Sequence, residues 1–112
     1  MFHTLNTSQD LDAALQASHE QPIVIFKHSN SCPFSARAQE QVANAKHDLE
    51  IYGVVVQYGK DVSDAIAERL GVKHASPQAI VVRNGEAQSH YWRDEIQETT
   101  LKEKVAGLST TA

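Results

Sequence analysis

Segments with helical periodicity alternate with β-branched runs from Thr7 to Gly71, and this alternation constrains the fold more than any other feature of the chain. Helices and strands in this order predict parallel strands that are joined by right-handed crossovers and covered by helices on both faces. Pro22 precedes a continuous run from Ile23 to Phe26, which is typical of a strand buried on both faces. The sequence therefore predicts an α/β fold.

Each predicted helix shows apolar residues three and four positions apart, together with signals at its ends. Thr7 and Asp10 mark the start of the first helix, Pro33 suits the first position of the second, and Gly71 suits a left-handed stop after the third. Asp61 or Ser63 is expected to cap the third helix. The predicted helices run from Thr7 to about Glu20, from Pro33 to about Lys46 or His47, from Asp61 to Leu70, and from a cap at Thr99 or Thr100 with Glu103 to Leu108.

The predicted sheet has four strands and is mixed. Asn84-Gly85 is the pair most favoured in a two-residue hairpin, so the last strand should return antiparallel to the one before it. The predicted strands are Ile23 to Phe26, Ile51 to Tyr58, Ala79 to Arg83 and Glu86 to Tyr91. With 112 residues, of which 41% are hydrophobic and 21% charged, residues 1–112 are expected to form one domain.

Charge and hydropathy exclude several classes of partner. The net charge is −4 with histidine neutral, and no segment gathers basic residues, so we expect neither nucleic-acid binding nor adhesion to an anionic membrane. The apolar runs fall well short of the ~20 residues that a membrane span requires, and Met1 to Asp10 lacks the layout of a secretory signal. We expect a cytoplasmic, reducing location, where a lone cysteine stays a free thiol.

That lone cysteine, Cys32, stands between the first predicted strand and Pro33. A thiol at a helix entrance faces unpaired backbone N–H groups and the positive end of the helix dipole, and both favour the thiolate. We therefore expect the pKa of Cys32 to lie below the ~8.5 of a free cysteine. Lys27, His28 and Arg37 are near in sequence and are the candidates to contribute positive charge.

The run Cys32-Pro33-Phe34-Ser35 has the spacing C-x-x-S. In a dithiol oxidoreductase the second position holds a cysteine that attacks the mixed disulfide and releases the product, which serine cannot do. A chain with one cysteine can accept a disulfide-bound group but needs an outside thiol to be restored. The Ser35 hydroxyl is expected to donate a hydrogen bond to the Cys32 sulfur. The competing interpretation is a small, buried and inert cysteine.

A second feature is Ser76-Pro77, just before the third predicted strand. Taken alone, the dipeptide favours a trans bond, because only about 5 to 6% of X–Pro bonds in folded proteins are cis. The segments that carry a resemblance are Phe26-Lys27-His28-Ser29, Ser31-Cys32-Pro33, Ile66-Ala67-Glu68, Gly71-Val72-Lys73-His74, Ser76-Pro77-Gln78 and Asn84-Gly85. In this order, the elements resemble the thioredoxin and glutaredoxin superfamily and, more narrowly, the YtxJ-type monothiol bacilliredoxins, from about Ser8 to Leu108.

The resemblance implies a thioredoxin-like fold and an enzyme that removes bacillithiol, a low-molecular-weight thiol, from protein mixed disulfides. Its partners would be such proteins and the small thiol itself, with no bound cofactor. It implies that Cys32 is the attacking thiol, that Pro77 is a cis proline, and that the Ser76 backbone pairs with the substrate as an added strand does. The other residues expected to bind substrate are Lys27, Pro33, Phe34, His74 and Gln78.

Two other functions stay open from the sequence. An iron-sulfur protein similar to the monothiol glutaredoxins would share a cluster between two chains through one cysteine of each chain. Those glutaredoxins carry a sequence similar to C-G-F-S at this position, whereas Pro33 replaces the glycine here. A redox-inert binding module would keep the fold alone. A metal site is not expected, because the spacing of the six histidines fits no structural zinc motif.

Overall fold

The computed structural model describes residues 2–29, 33–42 and 49–109, and within them the chain forms a mixed α/β structure. The strands are β1 (Phe2–Thr4), β2 (Ile23–His28), β3 (Ile51–Val55), β4 (Gln78–Arg83) and β5 (Glu86–Trp92). The helices are α1 (Ser8–Ala17), α2 (Pro33–Val42), α3 (Lys60–Leu70) and α4 (Glu98–Ser109), and a 3-10 turn, Arg93–Glu95, joins β5 to α4.

The strands form one sheet in the order β1-β3-β2-β4-β5. β1 and β2 both run parallel to β3, whereas β4 runs antiparallel to β2 and β5 antiparallel to β4. Asn84 and Gly85 form the hairpin between β4 and β5 with φ angles of 57° and 73°, as the Asn-Gly pair predicts. The mixed sheet is therefore confirmed.

The predicted count of four strands is wrong, because β1 adds a fifth. β1 has only three residues and an exposed Phe2, so its own pattern is too short to indicate a strand; pairing of Phe2 with Ile51 in β3 defines it. Gly53 makes room for the Phe2 ring of this strand. A Cβ at Gly53 would lie 2.4 Å from the Phe2 ring, closer than any normal carbon contact.

Alternation along β2 directs its side chains into two separate cores. Ile23 and Ile25 point to the face that α1 and α3 cover, whereas Val24 and Phe26 point to the face that α2 and α4 cover. All four side chains are fully buried. The continuous apolar run in the sequence therefore marks a strand covered on both sides, as predicted.

Helix ends show where local signals succeed. At α1, Thr7 Oγ1 accepts the Asp10 N–H and the Asp10 carboxylate accepts the Thr7 N–H, each at 3.1 Å, so the predicted start is confirmed. α1 ends at Ala17, before the expected Glu20. Gly71 follows α3 with the left-handed φ of 65°, also as predicted.

Other caps differ from the predictions. α3 begins after Gly59 and has no side-chain cap, while Ser63 is buried inside the helix. α4 begins at Glu98, whose N–H donates to Oε1 of Gln41 in α2 at 3.1 Å, so a distant residue replaces the expected threonine cap. β3 ends at Val55 rather than Tyr58. The expected end of the second helix falls in residues 43–48, outside the described residues.

Among the described residues, no helix combines the length and apolar character needed to cross a membrane.

Candidate active site

The junction between β2 and α2 is where the sequence places the reactive thiol. β2 ends at His28, two residues beyond the predicted end at Phe26, and α2 begins at Pro33, which confirms the predicted helix start and the first-position proline. Cys32 itself lies outside the described residues, so its ionisation and its contacts stay predictions. The described residues give the structure on either side of Cys32, in β2 and in α2.

Ser35 lies in the first turn of α2 and is fully buried. Its Oγ accepts a hydrogen bond from the Ser29 N–H at 3.0 Å, which ties α2 to the chain leaving β2. A hydroxyl has one proton to donate besides its acceptor sites. The contact with Ser29 therefore uses an acceptor site and leaves the predicted donation to Cys32 chemically open.

Ser76 and Pro77 lie just before β4, and the bond between them is cis, as the resemblance implied. Pro77 is buried, and its carbonyl oxygen accepts the Arg93 N–H at 3.2 Å. Within the described part of the chain, the Ser76 backbone has no hydrogen-bonded partner, and its buried Oγ has none either. The segment before β4 therefore presents unpaired backbone groups.

Gln78 opens β4, and its side chain is 3% exposed. Its Nε2 donates to the Lys73 carbonyl at 3.1 Å, across the turn that leads to Ser76. In this position the buried Gln78 side chain stabilises the conformation of residues 73–77. Its predicted contact with substrate stays a prediction.

Lys27 and His74 are brought together, although the sequence separates them widely. The Lys27 side chain is fully buried, and its Nζ lies 3.3 Å from His74 Nδ1. Ser63 Oγ of α3 lies 3.1 Å from the same nitrogen. Sequence reasoning missed Ser63, because its only signal, a polar residue on the inner face of α3, also fits a helix cap.

The electrostatics of this pair follow from burial. Burial lowers the pKa of Lys27 to about 8, and the charge of Asp64 opposes the shift. Burial also lowers the pKa of His74, and the positive charge of Lys27 lowers it further. Lys27 shares the face of β2 that α3 covers, opposite the face that α2 covers, and its Nζ contacts His74 there. Its effect on Cys32 stays a prediction.

The structure also gives the surroundings of His28 and Arg37, whose effect on Cys32 stays a prediction. The His28 ring stacks on Phe26 with centroids 4.9 Å apart, and burial lowers the pKa of His28, so the ring is neutral at pH 7. The Arg37 guanidinium lies over the Phe34 ring, 5.2 Å from its centroid, and pairs with Asp94 at 3.7 Å.

Sequence and structure comparisons place these features among known proteins. Residues 3–101 match the sequence model of the family described as monothiol bacilliredoxin BrxC. A solved structure described as a candidate oxidoreductase with a thioredoxin fold is 32% identical, with a TM-score of 0.78 and 91% of each chain covered.

More distant matches share the fold alone. Fasciola hepatica thioredoxin is 20% identical, with a TM-score of 0.73 and coverage of 95% of this chain and 98% of that chain. A mutant thioredoxin from Halobacterium salinarum NRC-1 is 13% identical, with a TM-score of 0.73 and coverage of 99% and 93%. The predicted fold class is confirmed.

Proposed function

The chain belongs to the monothiol bacilliredoxin BrxC family, and on this premise we propose that Cys32 removes bacillithiol from proteins that carry it in mixed disulfides. The family and the fold identify a monothiol thiol-disulfide redox protein. The role of Cys32 and the identity of the small thiol are the proposed part. The observation that carries the proposal is the start of α2 at Pro33, the residue that follows Cys32.

A helix that begins at Pro33 favours an ionised sulfur on the preceding residue. The first N–H groups of an α-helix have no partner inside the helix, and the dipole places partial positive charge at the same end. Both act on an anion within the first turn. The Ser35 hydroxyl, which accepts from Ser29, retains a proton to donate to that sulfur.

The segment before β4 supports substrate binding. Ser76 has backbone N–H and C=O groups that pair with no other described residue, and it directly precedes Pro77 and β4. An extended peptide can satisfy such groups by adding a short strand. We therefore propose that the substrate backbone next to the mixed disulfide lies along Ser76. Pro33 and Phe34 would then contact the substrate from the opposite side.

The exchange proceeds in two balanced steps. The Cys32 thiolate attacks the bacillithiol sulfur of the mixed disulfide, forms a new S–S bond, and releases the protein substrate as a thiolate that takes a proton from water. A second small thiol, as its thiolate, then attacks this new bond. This second thiol forms a disulfide with bacillithiol, and the Cys32 thiolate is released. The outside thiol supplies the electrons because position 35 is serine.

The test is mass spectrometry of the whole protein after exposure to bacillithiol disulfide and, separately, to glutathione disulfide. We expect one adduct, confined to Cys32, which forms faster with bacillithiol disulfide. Cys32→Ser is the control and should form no adduct. Its fold should be intact by circular dichroism, so that a missing adduct reports on the sulfur.

Three results would contradict the proposal. An unreactive wild-type thiol would indicate a redox-inert module. An alkylation profile against pH with an ordinary cysteine pKa would contradict the thiolate argument. Equal rates with the two disulfides would leave the exchange chemistry in place but contradict bacillithiol as the preferred thiol.

A further inference from the structure

Arg93 has an unusual backbone conformation next to the proposed substrate segment. It follows β5, and its φ of 53° lies in the left-handed region, which is uncommon for a residue with a Cβ. The other described non-glycine residue with positive φ is Asn84, in the hairpin turn. The Arg93 N–H donates to the Pro77 carbonyl at 3.2 Å, so this conformation attaches Arg93 to the residue that precedes β4.

The Arg93 side chain lies against two aromatic rings. Its guanidinium carbon is 4.7 Å from the Phe34 ring centroid and 4.2 Å from the Trp92 ring centroid. A guanidinium stacked on aromatic faces keeps its N–H donors at its edges, where they remain able to bind an anion. The stacking therefore orients the side chain without using its hydrogen-bonding groups.

No described carboxylate pairs with the Arg93 guanidinium, and no described residue accepts a hydrogen bond from it. The neighbouring Asp94 pairs instead with Arg37. Arg93 also borders a cavity of about 300 Å³ between α2 and the 3-10 turn, which Arg37, Glu40 and Asp94 line as well. An oriented cation with unused donors thus lies beside Phe34 at the start of α2.

Phe34 connects this cation to the proposed chemistry. It is two residues after Cys32, so covalent geometry keeps the two Cα atoms within about 7 Å. The chain as a whole carries a net charge of −4 and repels anionic substrates. A local arginine beside the reactive position offsets that repulsion where the substrate binds.

We propose that Arg93 is a specificity-determining residue that binds a carboxylate of the small-thiol part of the disulfide substrate. The assignment rests on the proposed disulfide exchange at Cys32. Arg suits this role because its planar guanidinium binds both oxygens of a carboxylate through two parallel N–H donors. The small thiols that are preferred are therefore those that carry a carboxylate near the sulfur.

The test uses three simple disulfides of different charge: 3,3′-dithiodipropionate with two carboxylates, neutral bis(2-hydroxyethyl) disulfide, and cationic cystamine. In each reaction the Cys32 thiolate attacks one sulfur, the S–S bond of the probe breaks, and the departing thiolate takes a proton. The rate of adduct formation is measured by mass spectrometry. Each variant is compared with wild type by the ratio of the anionic to the neutral rate.

Arg93→Gln should lower that ratio about fivefold, which is the upper range for an exposed ion pair, because the anionic rate falls more than the neutral rate. Arg93→Lys should retain part of the preference. Arg93→Gly keeps the left-handed backbone, since glycine adopts it readily, and should lower the ratio as Gln does. Arg69→Gln removes the same charge from α3, where Arg69 pairs with Asp12, and should leave the ratio unchanged.

Equal losses with the anionic and neutral probes would overturn the assignment, because they would mean that Arg93 only braces Phe34. An equal drop in the ratio for Arg69→Gln would overturn it as well, since long-range charge would then explain the preference. A wild-type chain that forms no adduct with any probe would instead overturn the proposed function, and the assignment with it.

Discussion

The Nζ atom of Lys27, at the end of β2, lies 3.3 Å from Nδ1 of His74, in the segment that leads to Ser76 and Pro77. This contact joins two stretches that the sequence separates by 47 positions. It places a fully buried ammonium under the segment that we propose to bind substrate. The charge of this pair is therefore open to test by titration.

Stability should depend on pH through Lys27. Its folded pKa of about 8 lies below its ordinary 10.5, so between these values the unfolded chain binds more protons and the free energy of unfolding rises with pH. Lys27→Met removes this titration. Its stability relative to wild type should be greatest below pH 8 and fall by about 3 kcal/mol by pH 10.5, as measured by urea unfolding.

The matched control for this experiment is Lys60→Met, which removes an exposed lysine. The pKa of Lys60 is raised by Asp64, so its titration lies above the same window. The control should show no such fall. A flat difference for Lys27→Met would mean that the buried ammonium titrates as an ordinary lysine.

The pKa of His74 should lie below 6.5 because burial and the charge of Lys27 both disfavour the imidazolium form. Lys27→Met should raise it by removing the positive neighbour. The measurement is an NMR titration of the ring protons. His28 is the internal control, since burial alone lowers its pKa and the substitution should leave it unchanged. An unchanged His74 would contradict the contact.

Ser35→Cys should convert the site to a dithiol. The new thiol would occupy the first turn of α2, three positions after Cys32, and would attack the Cys32 adduct to release the small thiol. We expect the adduct mass to disappear and an internal disulfide, two hydrogens lighter than the reduced chain, to replace it. Ser35→Ala is the control and should keep the adduct. A persistent adduct in Ser35→Cys would show that position 35 lies beyond reach of the sulfur.

The fifth strand is tested by a double-mutant cycle at Phe2 and Gly53. Gly53→Ala places a methyl group against the Phe2 ring, so it should destabilise wild type but stabilise the Phe2→Ala variant, where only the lower backbone entropy remains. The coupling energy should be about 1 kcal/mol by thermal or chemical unfolding. Additive effects would mean that Phe2 does not lie over Gly53.

Most of the fold was predictable because its signals are local. Capping by Thr7, the left-handed Gly71, the Asn84-Gly85 turn and the two-sided burial of β2 each follow from a few neighbouring residues. β1 and the start of α4 were not predictable from local signals. Pairing with β3 defines β1, and the hydrogen bond that Gln41 accepts from Glu98 defines the start of α4.

In the candidate site, too, some features follow from local sequence and others from tertiary packing. The single thiol, the serine three residues later and the strand-to-helix junction around them can be read from residue identity and local propensity. The contact of Lys27 with His74 and the stacking of Arg93 on Phe34 cannot be read in that way. Such contacts depend on strand order and on which face each side chain takes, and both are set by packing across the sheet.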